Sequence, residues 1–393
     1  MTNVRIAGTG LTPFGEHSGR TGRDLFAEAG LDAVDGAGVD PADVDRLYYG
    51  NFMGELAEHQ GHQGPLVAEA VGTTAPATRV EAACASGGVA VREGVEAIRS
   101  GTADVVLVGG AERMTDMGTE GATDGLSIAA DDLYEIGAGI TFPGAYALMA
   151  SAYVEANDVD ADDLAHVAVK NHGNALPNEK AHFRSEITIE DAVEAPRVAT
   201  PLGLYDACPI SDGAAAVVLV SEDYAEANDV EAPVSVTGTG QGGDRLALQD
   251  RDSLWRTPAA EDAAAEAYAD AGIESSDVDC AEVHDCFTIA EVLATEALGF
   301  FEPGEGLAAA RDGRTARDGD LPVNLSGGLK AKGHPVGATG VAQIAELTEL
   351  LAGEHARSDA VENASVGVAH NAGGTVATAT VHVLQAEDAE VDA

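Results

Sequence analysis

Cys84 lies in the string EAACASGG, just ahead of a helix-spaced stretch that begins with Ser86, Gly87 and Gly88. A free thiol titrates near about 8.5, and the open N–H groups and positive dipole end of a helix amino terminus favour its thiolate. Cys84 is therefore expected to be a nucleophile, with small neighbours that admit a substrate and amides that can hold an oxyanion. The competing reading is a core cysteine in a tight turn. His334 sits in SGGLKAKGHPVGATG, where Gly333, Pro335 and Gly337 fix a turn ahead of a second helix. An imidazole held there can be aimed at the Cys84 proton or at a developing enolate oxygen, unless it only caps backbone. In VHDCFTIAE, His284 and Cys286 fall on one side of an extended segment that runs into a helix, which suits an acid/base pair. In AHNAGG, His370 and Asn371 precede Gly373 and Gly374 at another strand end.

These groups converge only if the chain repeats itself, and it does. AGVDPADVDRLYYGNF, from Ala37, is echoed by AGIESSDVDCAEVHDCF, from Ala271; each reads as helix, glycine stop, capped turn and strand. CASGGVAVREGVEAIRSGTADVVLVGG, from Cys84, is likewise echoed by GHPVGATGVAQIAELTELLAG and the strand ASVGVAHNAGG. The expectation is α/β, with Val-rich buried strands between helices and functional groups gathered where strands end and helices begin. The halves are placed at 1–232 and 233–393, with an inserted lobe at about 114–200 that could cover a pocket. The acidic tail QAEDAEVDA is expected to fray.

Sixty-seven acidic residues against 21 basic ones give the 393-residue chain a formal net charge of −46. Such a surface repels nucleic acid, anionic membranes and itself, so the fold should prefer strong screening by salt. With lysine confined to Lys170, Lys180, Lys330 and Lys332, the composition suits an extreme halophile. The amino terminus shows no signal-peptide pattern and no segment has the length of apolar residues a membrane helix needs, so the cytoplasm is expected. Cys208 and Cys280 read as structural, and the four cysteines need no disulfides there. No close Cys-x-x-Cys pair suggests zinc, and the HxxH pair His59 and His62 is broken by glycine, so no metal is expected. Lys330 and Lys332 read either as contacts for CoA phosphates or as solvated turn residues.

CASGG, HDCF, GHPVGATG and AHNAGG, in this order, resemble the fingerprint of the thiolase superfamily along essentially the whole chain, and GITFPGAYALMA and LYDACPISDGAAAVVL are similar to its loop domain and following strand. The resemblance implies a duplicated five-layered αβαβα fold with an inserted loop domain. Biosynthetic thiolases carry Asn-Glu-Ala-Phe where this chain has His284 to Phe287, and Cys-x-Gly where it has His370 to Ala372. The pattern here is similar to sterol-carrier-protein-type and archaeal acetyl-CoA C-acetyltransferases, with the second catalytic cysteine in the HDCF segment.

Carried over, His334 activates Cys84, an acyl group rests on Cys84, Cys286 moves the α-proton, and His284 with His334 holds the enolate oxygen. Amides at Cys84 and near Gly373 hold the acyl oxygen, with His370 and Asn371 in support. The substrates are coenzyme A thioesters, with no permanently bound cofactor. The implied partners are a second copy, as homodimer or tetramer, an OB-fold zinc-ribbon protein and hydroxymethylglutaryl-CoA synthase. The rivals are a decarboxylating ketoacyl synthase, which has no need of Cys286, and a non-catalytic CoA or lipid carrier or scaffold.

Overall fold

Thr21 caps the first helix in a reciprocal box with Asp24, and Gly38 ends it at φ 65°. The computed structural model describes residues 2–387. The first half runs β1 (Val4–Leu11), α1 (Gly22–Ala37), β2 (Arg46–Gly50), α2 (Gly54–Ala57), α3 (Gln63–Ala70), β3 (Ala77–Val80), α4 (Ser86–Arg99) and β4 (Val105–Glu112). A lobe of α5 (Gly118–Ser127), α6 (Phe142–Asn157), α7 (Ala165–Ala175), α8 (Ile189–Glu194) and the short pair β5 (Arg197–Ala199) and β6 (Leu202–Gly203) follows. β7 (Gly213–Ser221) and α9 (Glu222–Asn228) return to the first half. The second half runs β8 (Val234–Gly243), α10 (Pro258–Ala271), β9 (Cys280–Glu282), α11 (Thr288–Ala297), α12 (Gly306–Arg311), α13 (Gly328–Lys332), α14 (Thr339–Leu351), β10 (Val366–Gly373) and β11 (Thr378–Ala386).

Among the described residues the main sheet has nine strands in the order β3-β2-β4-β7-β1-β8-β11-β10-β9. Read outward from the β1–β8 junction, β7, β4 and β2 in one half answer to β11, β10 and β9 in the other. Even the anchoring repeats: Asp45 accepts the amides of Asp104 and Val105 where β4 begins, and Asp279 those of Ser365 and Val366 where β10 begins. Gly8 and Gly10 let β1 lie against the Ala33 and Ala29 carbonyls of α1, and Gly238, Gly240 and Gly242 do the same for β8 on α10; a Cβ at any of them would collide with backbone.

The sheet bends at that junction, so α4 and α14 are buried between its halves, with Val91, Val95 and Ile98 meeting Val341, Ile344 and Leu347. α1 and α3 cover one outer face through Leu25, Phe26 and Val67, and α10 and α11 cover the other through Ala260, Ala263 and Ala294. The five layers expected from the resemblance are present. The lobe docks on the second half through Tyr146, Met149 and Tyr153 against Phe287, Ile289 and Val292. The chain rejoins the sheet at Gly213, the start of β7. Of the acidic tail, Gln385 and Ala386 belong to β11, while residues 388–393 lie outside the described residues. No described helix is long and apolar enough to cross a membrane.

Candidate active site

Cys84 follows Ala83, which is held at φ 50°, and precedes α4 as expected. The left-handed turn is fixed by Ser86, whose Oγ donates to Ala83 O (2.6 Å) and accepts from the Ala82 amide (2.9 Å). The amides of Cys84 and Gly374 lie against its sulfur, so the second donor is Gly374, next to the expected Gly373. Burial nevertheless pushes the thiol up to about 12, and nearby Glu112 adds to it. This runs against the depression expected from the helix terminus alone: around the half-buried Cys84, desolvation of a thiolate opposes the dipole and the two amides.

The Cys84 sulfur and one ring nitrogen each of His284 and His334 lie within 4.8 Å of one another, close enough to share one metal ion. The two imidazoles meet edge to face, 5.0 Å between centroids. His334 Nδ1 is 2.7 Å from Thr339 Oγ1, whose own hydrogen is donated to Pro335 O at 2.9 Å. Thr339 therefore accepts, His334 carries its proton on Nδ1, and its Nε2, which has no partner among the described residues, presents a lone pair. Burial lowers His334 to about 3, so the ring is neutral at working pH. His284 is also held well below its ordinary value, first by burial and then by His334 and His370.

Cys84, Cys286 and His334 line one cavity of about 550 Å³ whose wall is largely apolar, including Met114, Phe142, Tyr146, Phe183 and Phe287. Cys286 is buried, and its thiol is raised by burial and then by Cys208 and Cys84. Tyr146 was not foreseen: its hydroxyl donates to Gly374 O (2.9 Å) and lies near the Cys286 thiol, and its ring stacks on Phe287 at 4.6 Å. Cys208, read from sequence as structural, lines the same cavity, because its backbone pairs with Cys286 (N to O, 3.0 Å). Cys280 is a core residue as expected.

His370 is 2 % exposed and stays out of the cavity wall, with its Nδ1 3.5 Å from the His284 amide. Asn371, its neighbour, reaches the His284 ring (Nδ2 to Nδ1, 3.0 Å). Glu112, also missed, accepts from Asn51 Nδ2 and the amides of Phe52, Met53 and Gly337 at 2.8–3.0 Å, and burial raises it to about 7. It joins the loop after β2 to the turn that carries His334. His59 and His62 fall in an exposed loop, both at positive φ.

Lys330 and Lys332 meet neither expectation. Both are 2 % exposed: Lys332 pairs with Glu346 at 3.3 Å, and Lys330 approaches His172 at 3.5 Å and lies over the Tyr205 ring. In this charge network Lys170, paired to Glu291 at 3.0 Å, and the Lys330–His172 contact join α7 of the lobe to the second half, whereas the Lys332–Glu346 pair lies within the second half. Asp285 turns away from the cavity into this network and accepts from the Leu329 and Lys330 amides and from Asn171. Along HDCF, Cys286 thus lines the cavity, His284 lies near the Cys84 sulfur and Asp285 joins the frame.

A duplicated α/β frame that brings a cysteine from one half against two histidines from the other defines a class of acyl-handling enzymes. The chain belongs to the thiolase family: residues 4–223 match the thiolase N-terminal domain and residues 240–386 the thiolase C-terminal domain-like family. It is 45% identical to an acetyl-CoA acetyltransferase of Methanothermobacter thermautotrophicus over 98% of this chain and 100% of that one. It is 30% identical to sterol carrier protein 2 of Oryctolagus cuniculus over 98% of this chain and 72% of the relative. Among solved structures, the Ltp2-ChsH2(DUF35) aldolase superposes with a TM-score of 0.83 at 26% identity, covering 98% of both chains.

Proposed function

We propose that the chain is an acetyl-CoA C-acetyltransferase that condenses CoA thioesters without decarboxylation and runs the reverse thiolysis through an acyl group on Cys84. One observation carries the reading: the Cys84 sulfur and two imidazole nitrogens lie within 4.8 Å at an apolar cavity that Cys286 also lines. His334 Nε2 takes the Cys84 proton as sulfur attacks the acyl carbon, and the amides of Cys84 and Gly374 hold the oxyanion. The departing CoA thiolate takes its proton from Cys286. Burial makes the remaining Cys286 thiolate a strong base, suited to a carbon acid, and it removes the α-proton of the second acetyl-CoA. His284 and protonated His334 hold the enolate oxygen. The carbanion then attacks the acyl carbon, the carbon–sulfur bond to Cys84 breaks, and His334 returns its proton to that sulfur.

CoA thioesters are substrates in this reading, and it uses no metal. The cavity's retention of Cys286 beside Cys84 disfavours a decarboxylating synthase and a non-catalytic carrier. We also propose the division at 232/233, a homodimer or tetramer, a salt-rich cytoplasm and supply of the mevalonate pathway. For an OB-fold zinc-ribbon partner, the support is the structural neighbour, the Ltp2-ChsH2(DUF35) aldolase. Hydroxymethylglutaryl-CoA synthase as a further partner rests on the sequence resemblance alone.

The test is acetoacetyl-CoA thiolysis in molar KCl by wild type, Cys84→Ala and Cys286→Ser, with and without an OB-fold partner. Both variants should lose more than about a hundredfold in kcat. Activity that survives Cys84→Ala sinks the reading, and malonyl-CoA decarboxylation by Cys286→Ser would favour the synthase.

A further inference from the structure

Asn371 lies on β10 in the second half, yet both ends of its side chain are committed. Its Oδ1 accepts the amide of Gly88, in the first turn of α4, at 3.1 Å. A backbone amide only donates, so the oxygen must face it and the amide cannot flip. That leaves Nδ2 toward His284 Nδ1, at 3.0 Å. Nδ2 is also only a donor, so His284 Nδ1 must accept. In a neutral ring the proton then sits on Nε2, the buried atom that has no partner among the described residues.

We propose that Asn371 is a positioning residue that locks His284 in the Nε2–H tautomer, so that the site offers one donor histidine and one acceptor histidine to the Cys84 sulfur. Thr339 imposes the opposite tautomer on His334. The two rings are therefore not interchangeable: His334 Nε2 receives the Cys84 proton, while His284 Nε2–H is a hydrogen-bond donor before any proton has moved. When His334 is protonated, both rings are donors through Nε2, as an enolate oxygen beside them would need. The same proton on His284 Nε2 opposes metal binding, since a metal would need that lone pair. Asn371 also ties this tautomer to the nucleophile's own helix. Gly88 can approach it only because it has no side chain; a Cβ there would strike Asn371 and Thr380.

The inference deepens the acyl-transfer reading and rests on it for its purpose, but its first test needs no activity. In protein labelled with ¹⁵N-histidine, the ring nitrogen shifts of His284 should report Nε2–H at neutral pH, and those of His334 Nδ1–H. Nδ1–H on His284 overturns the proposal, whatever the enzyme catalyses. The second test is Asn371→Asp, which keeps an acceptor for Gly88 and so preserves the junction. Once ionised, the introduced carboxyl accepts where Asn371 donates and draws the ring proton to Nδ1. Thiolysis kcat should then fall about a hundredfold at high pH with KM within about twofold, and recover as the carboxyl is protonated. Iodoacetamide alkylation of Cys84, which needs only His334, should be unchanged. A loss equal at every pH and matched by slower alkylation would mark a structural role and overturn the assignment, as would an unchanged kcat.

Discussion

Ser86 and Thr339 hold the same place in the two halves, at the first residue of α4 and of α14, and each hydroxyl closes the loop in front of it. Ser86 donates to Ala83 O and accepts from the Ala82 amide; Thr339 donates to Pro335 O and accepts from the His334 ring. In one half the acceptor site serves the backbone and strains it, which presents Cys84 to the cavity. In the other it serves a side chain and sets which nitrogen of His334 is free. The strand ends cross over in the same manner. Glu112 at the end of the first half's β4 accepts the amide of Gly337, and Asn371 on the second half's β10 accepts that of Gly88. A duplicated frame thus supplies equivalent hydroxyls, and what each accepts differs: backbone behind the nucleophile Cys84 in one half, the ring of His334 in the other.

The most severe way to break this arrangement is Gly340→Ala. α4 and α14 cross where a Cβ on Gly340 would meet the Gly88 nitrogen and Asn371 Oδ1, and backbone cannot yield as a side-chain tip can. A loss of about 3 kcal/mol or more is expected, read as a fall in melting temperature together with lost thiolysis. An unchanged melting point would mean that the halves do not cross so closely.

Thr339→Val comes next. It keeps the β-branched shape but removes the acceptor, so His334 no longer holds one tautomer and both thiolysis and Cys84 alkylation should fall about tenfold. Thr339→Ser should restore both, whereas Ser86→Ala should act through the loop and leave the His334 ring nitrogen shifts unmoved. The smallest effect is a slope. With the thiol raised to about 12 and neutral His334 acting as its base, Cys84 alkylation should stay nearly flat between roughly pH 7 and 9. A rate that climbs about tenfold per unit would show that free thiolate, and not His334, sets the reaction.

Local pattern determined a good deal. The glycine stops at Gly38 and Gly272, the capped turns after them and the strands that follow all stand where the repeated strings placed them. So does Cys84 ahead of α4, because a helix start is written in adjacent residues. Alternation was enough to put His284 and Cys286 on one side. Thr339 was within reach of the same reasoning, since it aligns with Ser86 in the internal repeat.

What the tertiary structure alone decided depends on residues far apart in the chain and on how dry their meeting place is. Cys208 joins the cavity through pairing with Cys286, Tyr146 arrives from the lobe, and Lys330 and Lys332 are sealed by the lobe's closure on the second half. The Cys84 thiol follows the same logic, because the favourable dipole is local and legible while the desolvation that outweighs it belongs to the whole fold. Asn371 is the clearest case: the sequence marked it as a supporting residue, but only the contact with Gly88 fixes its amide, and only that fixed amide determines the proton on His284.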